Sequence, residues 1–179
     1  MTLSKKRQWI PNEKERVWVY SAFAIAIGIV AWKFWELYQY PSLTFHTKAF
    51  KFMFKDEGSL ARLALFVVLA HYAILFVLQK GLLDQWKDVK KWMIVASRLA
   101  RKCHTPVALV ALAFIFIHVV GAFLYGIELN FSNVSGLLAL LVLLPVPISG
   151  LLRYRKLDKK WHLRTGLAFA FLFLLHAFL

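Results

Sequence analysis

Five long runs of apolar residues, separated by short basic segments, dominate the pattern along the chain. They cover roughly Val17–Leu37, Leu60–Leu78, Thr105–Gly126, Val134–Leu152 and His162–Leu179. Each approaches the length of about 20 residues that carries an α-helix across a bilayer. None alternates apolar and polar positions as a β-barrel strand does. The first run holds Lys33 and Glu36 near one end, where long side chains reach the interface. The fourth contains Pro145 and Pro147 and is expected to bend. Between the second and third runs, Leu83–Arg101 reads LDQWKDVKKWMIVASRLAR. Trp86, Val89, Met93, Ala96 and Ala100 fall on one helical face of it, among basic residues. That pattern predicts an amphipathic helix lying in the membrane interface; the plainer alternative is a solvated connecting helix. The expected fold class is an all-α membrane protein, a bundle of five transmembrane helices plus one interfacial amphipathic helix, in a single membrane domain over residues 1–179.

Composition supports a membrane protein and removes other classes. Hydrophobic residues make up 60% of the 179 and charged residues 18%, yet the formal net charge is +14. Soluble domains carry about 25% charged and about 45–50% apolar residues. The chain is too apolar for intrinsic disorder. Its single cysteine, Cys103, excludes an internal disulfide framework. A soluble nucleic-acid binder would account for the basic charge but not for the apolar content, so no nucleic-acid partner is expected. The start, MTLSKKRQWIPNEKER, lacks the pattern of a signal peptide.

The charge instead predicts an orientation. Eighteen of the 23 Lys and Arg lie on one side of the spans: before the first, between the second and third, and at the junction of the fourth and fifth. Only Lys33, Lys48, Lys51, Lys55 and Arg62 belong to the other side. By the positive-inside rule the N-terminus is cytoplasmic and the C-terminus outside, as in a bacterial inner (cytoplasmic) membrane. The same basic loops also suit anionic lipid headgroups.

Six histidines occur, and five lie in or at the ends of spans. An imidazole in a span needs a partner, whether a carbonyl, another side chain or a metal. His104 and His118 are fourteen positions apart on the third span, and His162 and His176 fourteen apart on the fifth. Fourteen helical steps of about 100° fall about 40° short of whole turns and cover about 21 Å. The two histidines of each pair therefore face nearly the same way, one toward each side of a hydrocarbon core about 30 Å thick. The third and fifth spans run in the same direction, which puts His104 and His162 at one depth and His118 and His176 at the other. Two such planes, each with two facing imidazoles, predict two haems with bis-histidine ligation. Thr105-Pro106 directly after His104 reads as a helix start, or as a kink if the preceding helix runs on.

Other residues belong to this expectation. Phe114, Phe116, Phe123, Phe169, Phe171 and Phe173 could wall the haems, or simply pack against lipid and core. Arg98, Arg101 and Arg164, with Lys102, lie near His104 and His162, where haem propionates would emerge; each is equally well explained as positive-inside charge. Glu128 could accept a proton beside the outer haem, or be an interfacial acid without chemistry. His71, in mid-span, suits a hydrogen-bonded core histidine, a haem edge or a quinone site. His46 reads as an exposed loop histidine.

From Leu138 the sequence runs LALLVLLPVPISGLLRYRKLDKKWHLRTGLAFAFLFLLHAFL. A proline-bearing span, Ser-Gly, a basic loop, a Trp-His start and a Leu-His end resemble the ferric-reductase-like transmembrane domain. That resemblance implies two b-type haems on paired histidines of the third and fifth helices, which are His104, His118, His162 and His176 here. Arg101, His104, Phe114, His118, Gly121 and Tyr125-Gly126 are similar to a helix of the quinol-oxidising cytochrome b. Five spans rather than the family's usual six, and no flavin or nicotinamide domain, are departures. The resemblance covers about Leu83–Leu179. The expectation is a diheme cytochrome b membrane subunit, an electron-transfer part of a membrane oxidoreductase. Its partners would be membrane lipid, a quinone or cytochrome, and other subunits of a redox complex. The alternatives are a self-contained quinol-linked or ferric-type reductase, and a non-redox scaffold with structural histidines.

Overall fold

The computed structural model describes residues 10, 12–155, 157 and 160–179. Lys5, Lys6, Arg7, Lys156 and Lys159, counted above for orientation, lie outside the described residues. Among the described residues the regular structure is entirely helical: α1 Glu13–Tyr38, a 3₁₀ turn Ser42–His46, α2 Lys48–Gln79, α3 Lys87–Tyr125, α4 Phe131–Leu143, α5 Pro145–Tyr154 and α6 Trp161–Phe178. Five segments are long and apolar enough to cross a membrane, with α4 and α5 together forming one of them. The chain is an all-α integral membrane protein.

Local chemistry sets the helix ends. Thr47 caps α2 by accepting from the Phe50 amide at 3.3 Å, and Asn130 caps α4 by accepting from the Asn133 amide at 2.9 Å. These side chains satisfy amides that a helix start leaves open. Gly81 ends α2 in the left-handed conformation, with Gly81 N–H bonded to the Leu78 carbonyl and Leu82 N–H to the Val77 carbonyl. That pair of bonds is a Schellman cap, and glycine takes its positive φ without a Cβ penalty.

Two expected boundaries change. The segment 83–101 is not a separate interfacial helix: from Lys87 it is the first half of α3, which runs unbroken through Thr105-Pro106 to Tyr125. No glycine or proline precedes Pro106 in that stretch. Pro106 removes one backbone bond, to the Lys102 carbonyl, and a single loss does not end a long helix held by its neighbours. α2 likewise starts well before its apolar run, because Lys48, Lys51, Lys55 and Glu57 are good helix formers as well as polar residues. At about 1.5 Å per residue its 32 residues reach about 48 Å, more than the hydrocarbon core needs. The fourth span, expected to bend, is interrupted at Leu144, where α4 ends and α5 begins. Pro145 and Pro147 offer no amides to the Leu141 and Leu143 carbonyls.

The chain divides into two compact units, Val17–Gly126 and Met1–Arg16 with Ile127–Leu179. In the first, α2 and α3 pack antiparallel along their length, with Phe54 beside His118 and Val68 beside His104. In the second, α6 runs antiparallel to α4 and α5. Packing is inside-out relative to a soluble protein. Ala61, Ala111, Ala113, Gly121, Ser135, Ala139 and Ser149 are buried, while Trp18, Ile25, Trp32, Leu141 and Phe171 are exposed. Small residues let helix backbones approach where lipid removes the usual hydrophobic drive.

The closest approach is at Gly121, where a Cβ would overlap the Phe54 side chain. Gly121→Val should therefore destabilise by about 1–3 kcal/mol, as overpacking does. It should lower the thermal midpoint of the detergent-solubilised protein. Gly28, with nothing within 4 Å of its Cβ position, is the control. Gly28→Ala should be neutral or stabilise by up to about 1 kcal/mol.

Candidate functional site

Four histidines share one mode of anchoring. His104 Nδ1 lies 3.3 Å from the Val68 carbonyl and His118 Nδ1 2.8 Å from the Phe54 carbonyl, both on α2. His162 Nδ1 lies 3.1 Å from the Val146 carbonyl and His176 Nδ1 2.9 Å from the Ser132 carbonyl. A carbonyl oxygen only accepts, so Nδ1 donates and the neutral ring carries its lone pair on Nε2. That is the tautomer a metal-binding imidazole adopts when its other nitrogen donates to a backbone carbonyl.

The carbonyls repeat the spacing of the histidines. Phe54 and Val68 are fourteen positions apart, as are Ser132 and Val146. Each helix hairpin thus holds two stations in antiparallel register. In the second unit each station also contains a serine. Ser135 Oγ donates to the Ser132 carbonyl at 3.0 Å and lies 3.4 Å from His176 Nδ1. Ser149 Oγ donates to the Val146 carbonyl at 2.8 Å and lies 3.2 Å from His162 Nδ1. Both serines are buried.

A glycine follows the accepting residue by four positions at three stations: Gly58, Gly136 and Gly150. A Cβ on Gly58 would come to 2.7 Å from His118 Nδ1, one on Gly136 to 2.8 Å from His176 Cε1, and one on Gly150 to 3.4 Å from His162 Cε1. A helical Cβ leans toward the N-terminus, over the carbonyl one turn earlier. Its absence opens that carbonyl to the facing ring. At the fourth station Tyr72 replaces glycine, its ring edge-on to His104 at 5.7 Å, and the Nδ1–carbonyl distance is the longest of the four.

Ser135-Gly136-Leu137-Leu138 and Ser149-Gly150-Leu151-Leu152 are a fourteen-residue repeat visible in the sequence. It was the available signal for the serine and glycine positions. The carbonyls of Phe54 and Val68 left no such signal, because a backbone acceptor has no residue type.

The remaining candidates sort differently. Arg98, Arg101, Lys102 and Arg164 are exposed. Of the six phenylalanines, Phe169 and Phe173 are buried and stack at 6.0 Å; Phe116, Phe123 and Phe171 are exposed. His71 sits beside His104 with ring centroids 6.3 Å apart. His46 is exposed, with Nδ1 3.1 Å from the Tyr125 carbonyl at the end of α3. Glu128 is exposed and organises the start of α4, its carbonyl accepting from Asn133 Nδ2 at 2.8 Å. Lys33 bridges Glu57 Oε1 at 2.7 Å and Glu36 Oε2 at 3.1 Å. Glu57 was not anticipated, because it precedes the apolar run of the second span.

Among the described residues no three His, Cys, Asp or Glu side chains converge to hold a metal ion by themselves. Haem, which brings four nitrogen donors of its own, needs only two protein ligands. Compared with family models, curated proteins and solved structures, the chain matches none.

The glycine geometry predicts a difference between two similar substitutions. Alanine in place of a helical glycine gains about 0.8–1 kcal/mol of propensity. Gly150→Ala meets ordinary contact and should keep that gain. Gly136→Ala pushes on the His176 ring and should lose stability. Thermal melts of the two variants read the sign; equal shifts would remove the steric role assigned to Gly136.

Proposed function

We propose that the chain is a diheme b-type cytochrome membrane subunit that moves electrons across the bilayer. His104, His118, His162 and His176 would be the axial ligands of two haems b. The observation that carries this reading is the common anchoring of the four rings. Satisfying a polar ring inside a membrane does not require a shared nitrogen, a shared carbonyl geometry and a shared fourteen-residue interval. A ligand demanding Nε2 from every ring does.

The donor set fits the group. Imidazole held through Nδ1 is rotationally fixed, and the carbonyl acceptor raises the basicity of Nε2. The bound group would supply one-electron chemistry, while the chain supplies ligation, burial and spacing. Phe169 and Phe173 exclude water on α6. Arg98, Arg101 and Arg164 would pair with propionates, where a guanidinium fork matches a carboxylate. The partners would be a quinone pool and further redox subunits or a cytochrome. The setting would be a bacterial inner membrane, with the N-terminus cytoplasmic.

A reduced-minus-oxidised spectrum of the purified protein tests the reading directly. Soret and α-band changes are expected; their absence, with the protein folded, would leave a scaffold with structural histidines. His118→Ala should remove one haem of two by pyridine haemochrome assay, and an unchanged stoichiometry would refute its role as a ligand. For orientation, a C-terminal alkaline phosphatase fusion should be active and a C-terminal GFP fusion dark.

A further inference from the structure

Glu57 is the buried charge that the four histidine stations do not use. It is 6% exposed, and its two carboxylate oxygens differ. Oε1 accepts from Lys33 Nζ at 2.7 Å. Oε2 is fully buried and meets no donor among the described residues. Lys33 also holds Glu36 at 3.1 Å, and the Tyr40 hydroxyl reaches Glu36 Oε1 at 3.5 Å. Two carboxylates thus share one ammonium. A buried acceptor left without a donor costs about 1–3 kcal/mol, and more when charged. A buried acceptor of this kind calls for a donor from outside the chain, a bound ligand or a water.

The neighbourhood defines that ligand. Lys33 has three donors, of which Glu57 and Glu36 take two. An acceptor oxygen and a donor hydrogen are therefore presented side by side. Glu57 is buried, but Lys33 and Glu36 are part-exposed and form the open edge of the cluster. Trp32 and Trp35 on the same helix are exposed and apolar. A ligand reaching this edge from the membrane must dissolve in lipid and carry a hydroxyl. The next residue, Gly58, is the one that packs on His118.

We propose that Lys33 and Glu57 form the head-group site for a hydroquinone, one ring hydroxyl donating to Glu57 Oε2 and its oxygen accepting from Lys33 Nζ. This deepens the function proposed above and rests on it for the fate of the electrons; the binding itself does not depend on haem.

Isothermal titration of the purified full-length protein with 2-heptyl-4-hydroxyquinoline N-oxide, a lipid-soluble hydroxyl-bearing probe, tests the site. Saturable binding is expected for the wild type. Glu57→Gln should weaken it by roughly tenfold or more, the loss of one charge-assisted hydrogen bond. Glu128→Gln should bind as the wild type does. No saturable binding, or an unaltered affinity in Glu57→Gln, overturns the proposal. Should Glu57→Gln fail to fold, the infrared carboxylate band of the wild type replaces it: a shift on adding probe is expected, and no shift overturns the site. Haem content measured on the same samples separates the two readings. Probe binding without haem keeps this site and sinks the cytochrome; haem without probe binding does the reverse.

Discussion

An imidazole inside a bilayer must give its N–H to something, and here that partner is the backbone of the facing helix. A helical carbonyl already accepts from the amide four residues on, but it has a second lone pair. It can take a ring N–H without breaking the ladder, provided no side chain lies over it. Glycine at the fourth following position meets that condition at Phe54, Ser132 and Val146. The three distances there are 2.8, 2.9 and 3.1 Å, against 3.3 Å at Val68, where Tyr72 keeps its Cβ. The hydrogen-bond lengths follow the steric access of the carbonyl.

This constraint fixes register as well as side-chain orientation. In each hairpin one side carries the acceptors and the other the rings, so sliding either by a residue rotates the stations about 100° out of line. Two stations per hairpin make the register over-determined. Such redundancy matters in a membrane, where apolar side chains gain little by choosing a protein neighbour over lipid. The small buried residues between and beside the stations then follow as a consequence: Ala61, Ala111 and Gly121 let α2 and α3 come close enough for ring and carbonyl to meet.

The sequence made the spans legible because lipid demands continuous apolar length, and it made the four histidines legible because they are costly there. It did not reveal that α2 and α3 outrun the bilayer, since hydropathy marks the membrane and not the helix. Lys48–Ser59 interleaves Phe50, Phe52, Met53 and Phe54 with charged residues and is helical, but its charges break the continuous apolar run that marks a span. The same blindness hid Glu57. A charged residue outside an apolar run looks solvated, and only the fold shows that Lys33 reaches it from α1.

The serine stations add a further step. Ser135 and Ser149 each tie a hydroxyl to the carbonyl that the histidine also uses, so the acceptor is shared by two donors. Each hydroxyl oxygen in turn stands beside Nδ1, giving the ring N–H two acceptors on one face. The α2 stations have no serine in the equivalent place: Phe54 is followed three residues later by Glu57, and Val68 by His71. Where α4 and α5 carry a hydroxyl, α2 carries an ionisable group at the same offset from the accepting carbonyl. The two hairpins therefore share a scaffold for holding rings, and differ at the third position after the accepting residue as well as at Tyr72. That difference places Glu57 and His71 at equivalent positions of a repeated element, His71 with its ring 6.3 Å from that of His104 and Glu57 next in sequence to Gly58, whose Cβ position meets the His118 ring.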